Sequence, residues 1–113
     1  MQDHIKKLYS ALSLFDQLSP KNMPTHHAQT YLLIGSHSSV TYRDIEKSMG
    51  ISNASASRIV HALADIKATH RKTNLNLVEI YIDPEESRRY RVRLTSKGKE
   101  LMKALDFMKG TTS

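Results

Sequence analysis

Residues 41–58 read TYRDIEKSMGISNASASR, an order that predicts two helices joined by a sharp turn. Thr41 and Asp44 stand three apart, as a capping box requires, although Asp is shorter than the usual Glu. Ile45 and Met49, four apart, face the core together. Gly50 can take the left-handed backbone that turns a chain after a helix. Ser52 then caps a longer helix, expected to reach Ala68 or His70, with Ala56, Ile59, Leu63 and Ile66 inward. Asn53, Ala54, Ser57, Arg58 and His61 fall largely outside that stripe. Small side chains let such a helix approach a groove closely, and Asn, Ser and Arg can reach base edges or phosphates. The stretch therefore predicts a helix-turn-helix over 41–70.

Upstream, Ile5, Leu8, Leu12, Phe15 and Leu18 recur at helical spacing and predict a helix over 3–19. SPKNMP at 19–24 carries two prolines and ends it. Thr25 is the expected cap of a second helix to about Ser36, with Ala28, Tyr31, Leu32 and Gly35 along its buried side. Downstream, LNLVEIYID at 75–83 reads as a strand, DPEES as a turn, and RRYRVRLT at 88–95 as a second strand. In the latter, Tyr90, Val92 and Leu94 share one face, and Arg89, Arg91 and Arg93 make the other strongly cationic. A hairpin over 75–95, placed after the third helix of a helix-turn-helix, is a wing. Thr95 or Ser96 starts a last helix over 96–109, with Leu101, Leu105 and Met108 inward. The expected fold is mainly α with a small β-hairpin: one winged helix-turn-helix domain spanning 1–113, flanked by N- and C-terminal dimerisation helices.

Composition agrees with a polyanionic partner. The 113 residues carry 17 Lys and Arg against 11 Asp and Glu, a net charge of +6. Between Arg58 and Lys99 the count is ten basic residues to five acidic ones, and a basic stretch of this kind suits nucleic acid. Merely solubilising charge is the competing explanation. The absence of cysteine excludes disulfides, thiolate chemistry and the commoner structural zinc sites. Neither a membrane-length apolar run nor a secretion signal is visible, so a cytoplasmic location is expected.

In the order and spacing of IEKSMGISNASASRIVHAL, DPEESRR and VRLTSKGKEL, the chain resembles the multiple-antibiotic-resistance repressor (MarR) family of winged-helix regulators, over roughly Thr25 to Leu101. The last segment looks like the family's closing strand and the Leu-Thr-x-x-Gly that leads into its C-terminal helix. The resemblance implies a cytoplasmic homodimer on pseudo-palindromic double-stranded DNA, with first and last helices intertwined across the two-fold axis. It puts Ser52, Asn53, Ala54, Ser55, Ser57 and Arg58 on the groove-facing helix. Asp83 and Arg88 or Arg89 match the acidic and basic members of the wing tip. Many relatives release DNA on binding a small, often aromatic, effector. Several positions depart from the pattern: Glu46 replaces the usual alanine, Ala56 is smaller than the usual branched residue, and ATHRKTNLNLVEIY is longer than the usual connection. Without cysteine, thiol-based redox sensing is ruled out.

Asn53, Ala54, Ser57 and Arg58 are the candidate base readers; Arg58 suits guanine or phosphate, and an exposed helix arginine is the plain alternative. Tyr42, Ser52, Ser55 and His61 are candidate phosphate contacts, with Ser52 also the helix cap. Arg88, Arg89, Arg91 and Arg93 are candidate wing contacts, and Asp83 is expected to orient an arginine or form the turn. Ile5, Leu8, Leu12, Phe15, Leu101, Leu105 and Met108 are the candidate dimer interface. The six histidines show no ligand spacing, so no metal or cofactor is expected. No nucleophile elbow or glycine-rich phosphate loop is visible, and no enzyme is expected. The leading reading is a dimeric transcriptional regulator, a repressor acting by occlusion. The rivals are a phage or plasmid replication, partition or recombination protein, and a winged-helix protein-interaction module.

Overall fold

The capping box forms with Asp in the place of Glu. The Asp44 N–H donates to Thr41 Oγ1 at 3.1 Å, and the Thr41 N–H donates to Asp44 Oδ2 at 2.9 Å. The computed structural model describes residues 3–18, 24–64 and 75–106, with the side chains of 16–18 and 106 left aside. In chain order the elements are α1 (Asp3–Leu18), α2 (Thr25–Gly35), β1 (Val40–Thr41), α3 (Tyr42–Met49), α4 (Asn53–Leu63), β2 (Val78–Ile82), β3 (Tyr90–Leu94) and α5 (Ser96–Asp106).

Gly50 closes α3 with φ 65° and ψ 40°. Its N–H and that of Ile51 both donate to the Glu46 carbonyl, at 2.9 and 3.2 Å. This left-handed residue strains any side chain with a Cβ, so glycine suits the tight turn. Ser52 then caps α4, its Oγ accepting the Ser55 N–H at 3.1 Å. Ala56, Ile59 and Leu63 are buried as expected, and Val60 joins them. The helix ends at Leu63, short of Ala68. Leu77 donates its N–H to the Leu63 carbonyl at 2.8 Å, and Ala64 turns extended to pair in parallel with Val78. A tertiary partner has taken the carbonyl that a longer helix would have used. Ile66 lies outside the described residues.

The wing strands pair antiparallel from Val78 opposite Leu94 to Ile82 opposite Tyr90. A third strand, absent from the sequence reading, joins them: β1 pairs with β3 through Val40 opposite Val92, giving the order β1-β3-β2. Two residues are too few to show alternation, so only the sheet reveals this strand.

Two expectations for α2 are corrected. Pro24, not Thr25, is the N-cap, and it offers no side-chain bond; proline is at ease there because its missing N–H and fixed φ suit a helix start. Leu32 is exposed, whereas Ile34 and Tyr31 are fully buried. Tyr31 anchors the core, donating its hydroxyl to the Gly98 carbonyl at 2.6 Å and meeting Phe15 edge-on at 5.7 Å. Such an aromatic pair adds to plain area burial.

The start of α5 explains the Leu-Thr-x-x-Gly pattern physically. Thr95 Oγ1 accepts the Gly98 N–H at 3.0 Å and donates to the Asn76 carbonyl at 2.6 Å, so one hydroxyl caps the helix and pins the wing's base. A Cβ on Gly98 would stand 2.1 Å from the Leu77 carbonyl oxygen. Only glycine lets α5 lie this close to the backbone.

Candidate nucleic-acid interface

Burial of the α4 stripe turns Asn53, Ala54, Arg58 and His61 outward, all exposed, with Ser55 and Ser57 half-buried beside them. Arg58 Nη2 donates to Ser55 Oγ at 3.3 Å, and Ser52 Oγ donates to the same oxygen at 3.1 Å. The His61 Nδ1–H donates to the Ser57 carbonyl at 2.7 Å. That bond selects the tautomer protonated on Nδ1, which leaves Nε2 as the ring's acceptor while neutral. These contacts among exposed side chains are soft, and a better partner can displace each of them. Beside them, Pro24, His26, His27, Ser55, Arg58, Ile59 and Ala62 line an open cleft of about 520 Å³. Burial, then the neighbouring His26, lowers the His27 pKa, keeping that ring neutral.

Tyr42 opens α3 half-buried. Burial first and Tyr90 second push its phenol upward, so it remains a hydrogen-bond donor at neutral pH.

The wing is organised by Asp83, which is almost fully buried. Its Oδ1 accepts the Glu85 N–H at 2.9 Å. Its Oδ2 accepts Arg89 Nε at 2.9 Å, Arg89 Nη2 at 2.8 Å and Arg91 Nη1 at 3.2 Å. The backbone bond from Glu85, followed by the two arginines, holds the carboxyl down at about 2. Arg91 is further fixed by donating its Nε to Ser39 Oγ at 2.9 Å. Arg93 donates to Glu79 Oε1 at 2.6 Å and lies 4.3 Å from the centre of the Tyr81 ring. The alternation in RRYRVRLT thus places these arginines, and carboxylates offset part of the cationic face. Asp83 and Glu79 take up three of them, and among the described residues Arg88 is the wing arginine with no carboxylate at its side chain.

Sequence reading missed Ser39, Glu79 and Tyr81 as wing supports. Glu79 opposite Arg93 and Tyr81 opposite Arg91 follow from the strand register, which the order of residues alone does not fix. No sequence signal pointed to Ser39, which lies 52 residues from Arg91.

The candidate dimer residues divide. Phe15 and Leu105 are buried within the single chain, and Leu101 is half-buried against the same core. Ile5, Leu8 and Leu12 are 46%, 57% and 56% exposed and share α1 with the exposed Tyr9, leaving an apolar helix side open. Met108 lies outside the described residues. No described helix is long and apolar enough to cross a membrane, and the described residues hold no cluster of three metal-ligating side chains.

Helix-turn-helix, three-stranded sheet and closing helix together define a winged-helix protein. No family model and no curated protein matches the sequence, but solved structures match its fold. A Staphylococcus aureus MepR–DNA complex aligns over 96% of this chain and 77% of its own, at a TM-score of 0.67 and 19% identity. A mutant Escherichia coli MarR complexed with operator DNA aligns over 96% and 70%, at 0.61 and 17%. Bordetella bronchiseptica BpsR, whose DNA binding is regulated by 6-hydroxynicotinic acid, aligns over 95% and 71%, at 0.60 and 18%. At such identities the likeness is one of fold. The chain has the winged-helix fold of the multiple-antibiotic-resistance repressors, as its motifs implied.

Proposed function

We propose that the protein is a sequence-specific double-stranded DNA-binding transcriptional regulator, a dimeric repressor that acts by covering its promoter. The observation that carries this reading is the front of α4: Asn53, Ala54, Arg58 and His61 stand exposed over a fully buried stripe. Eleven helical residues span about 16 Å at the usual rise, enough to cross a major groove about 12 Å wide. Net charge of +6 supports phosphate-driven affinity, with sequence choice left to α4 and flank contact to Arg88. Fold likeness to structures solved with DNA points the same way. Repression by occlusion then needs no chemistry.

The dimer part of the reading rests on the exposed Ile5, Leu8 and Leu12 of α1, a surface that a second copy would cover. A small-molecule effector is a further partner in this reading, and its site would be an open cavity of about 400 Å³ between the end of α2, β3 and α5. Leu94 and Met102 line it together with His37, Arg93, Lys99 and Lys103.

Selection of bound duplexes from a random pool, with a salt titration, tests the reading. A two-fold-related motif with half-sites about one helical turn apart is the expected result. A single half-site would remove the dimer, and a footprint at a replication origin without promoter effect would favour the replication reading. Failure to retain any duplex at low salt would leave a protein-interaction module.

A further inference from the structure

Glu46 departs from the alanine usual at its place in α3, and its carboxylate reaches over the turn. Asn53 donates its Nδ2 to Glu46 Oε2 at 3.1 Å, linking the middle of α3 to the first residue of α4. Arg43 and Lys47 line the same cleft as Glu46, yet no described cation forms an ion pair with it. The Glu46 backbone carbonyl meanwhile closes the turn through Gly50 and Ile51. Both ends of this residue therefore fix how α4 begins.

The bond has a chemical consequence. A carboxylate only accepts, so the Asn53 amide must turn its nitrogen to Glu46 and its carbonyl oxygen away. Flipping the amide would set oxygen against carboxylate. Asn53 is exposed, and no described residue donates to its Oδ1. In the major groove adenine and cytosine present amino donors, whereas guanine and thymine present acceptors. We propose that Glu46 is a positioning residue for base selection: it holds the Asn53 carbonyl outward as an acceptor, so a base with an amino donor, adenine or cytosine, is favoured over guanine or thymine, which could reach only the amide hydrogen that Glu46 leaves free. This rests on the DNA-binding reading above and adds which chemistry one position selects.

The test is selection of bound duplexes by the wild type, Glu46→Ala, Glu46→Gln, Asn53→Ala and the Glu46→Ala/Asn53→Ala pair, each first checked for wild-type thermal unfolding. The wild type should prefer adenine or cytosine at one position per half-site. Glu46→Ala should lose about tenfold in that preference, the scale of one good base contact, with other positions and the salt slope unchanged. Glu46→Gln keeps the reach but can donate as well as accept, so it no longer dictates which way the Asn53 amide faces and should retain a preference between those of the wild type and Glu46→Ala. With Asn53→Ala in place, Glu46→Ala should add nothing. A preference intact in Glu46→Ala, or lower in Glu46→Gln than in Glu46→Ala, would overturn the inference while the DNA reading stands. No enriched sequence from the wild type would remove both. In the free protein, the Asn53 side-chain amide protons should shift in nuclear magnetic resonance spectra on both Glu46→Ala and Glu46→Gln; identical spectra for all three would overturn the positioning role without any DNA.

Discussion

The front of α4 and the wing are held in opposite ways. On α4, Ser52, Ser55 and Arg58 touch one another through contacts of 3.1–3.3 Å that each end on a neutral serine hydroxyl, and among the described residues there Asn53 alone leans on a carboxylate, that of Glu46. On the wing, Asp83 alone gathers Arg89 and Arg91 at 2.8–3.2 Å, and Glu79 holds Arg93 at 2.6 Å. Charge-assisted bonds of the latter kind are roughly twice as strong as neutral ones and set geometry more firmly. A rigid wing next to an adaptable helix front is the arrangement expected when one element fixes register and the other adjusts to base edges.

The largest effect should come from the wing's base, on which that rigidity depends. Gly98→Ala drives a Cβ to 2.1 Å from the Leu77 carbonyl oxygen and should cost about 3 kcal/mol, the upper end for overpacking, in urea or thermal unfolding. Wild-type stability would mean that α5 slides easily and that the wing is less firmly seated than its contacts suggest. Next comes the helix front: Arg58→Ala should cost about 2 kcal/mol of discrimination between specific and random duplexes. Equal loss on both would make Arg58 a phosphate contact. Ser52→Ala removes the cap bond to the Ser55 N–H at 3.1 Å and should cost about 1 kcal/mol of stability, read in denaturant.

Smaller still is the effect at the wing tip. Arg88→Ala should weaken binding to every sequence alike and lower the salt slope by about one, as a filter-binding titration would report. An altered base preference instead would turn the wing into a reader. Asp83 gives a pH test. Its carboxyl falls from 3.8 to about 2 in the folded protein, so the unfolded chain binds the proton more readily. The stability it adds is therefore full above about pH 4 and is lost as pH falls through about 2. Unfolding of wild type and Asp83→Asn should differ above that window and converge below it. A constant difference down to pH 2 would mean that the arginines are oriented by something else.

Much of this contrast is legible in the amino-acid order. The Thr41–Asp44 box, the left-handed Gly50, the Ser52 cap and the outward Asn53, Ala54, Arg58 and His61 all follow from spacings of a few residues. The alternation in 88–95 placed the arginines correctly on the wing, yet gave no hint of their charge partners. Asp83 stands six and eight residues from Arg89 and Arg91, across a turn whose form decides whether they meet. Glu46 was visible as an oddity, but its use was not, because the reach to Asn53 depends on the angle between α3 and α4.

Caps, a glycine turn and helical or alternating burial are interactions between near neighbours, so the amino-acid order determined them: a winged helix-turn-helix with a small polar helix front. The end of α4 at Leu63, the pairing of Val40 with Val92, the seat of Gly98 on Leu77 and the bond from Asn53 to Glu46 belong to the tertiary structure. Each needs groups brought together by the packing of whole elements. Distances between residues far apart in the chain are set by that packing and not by local preference.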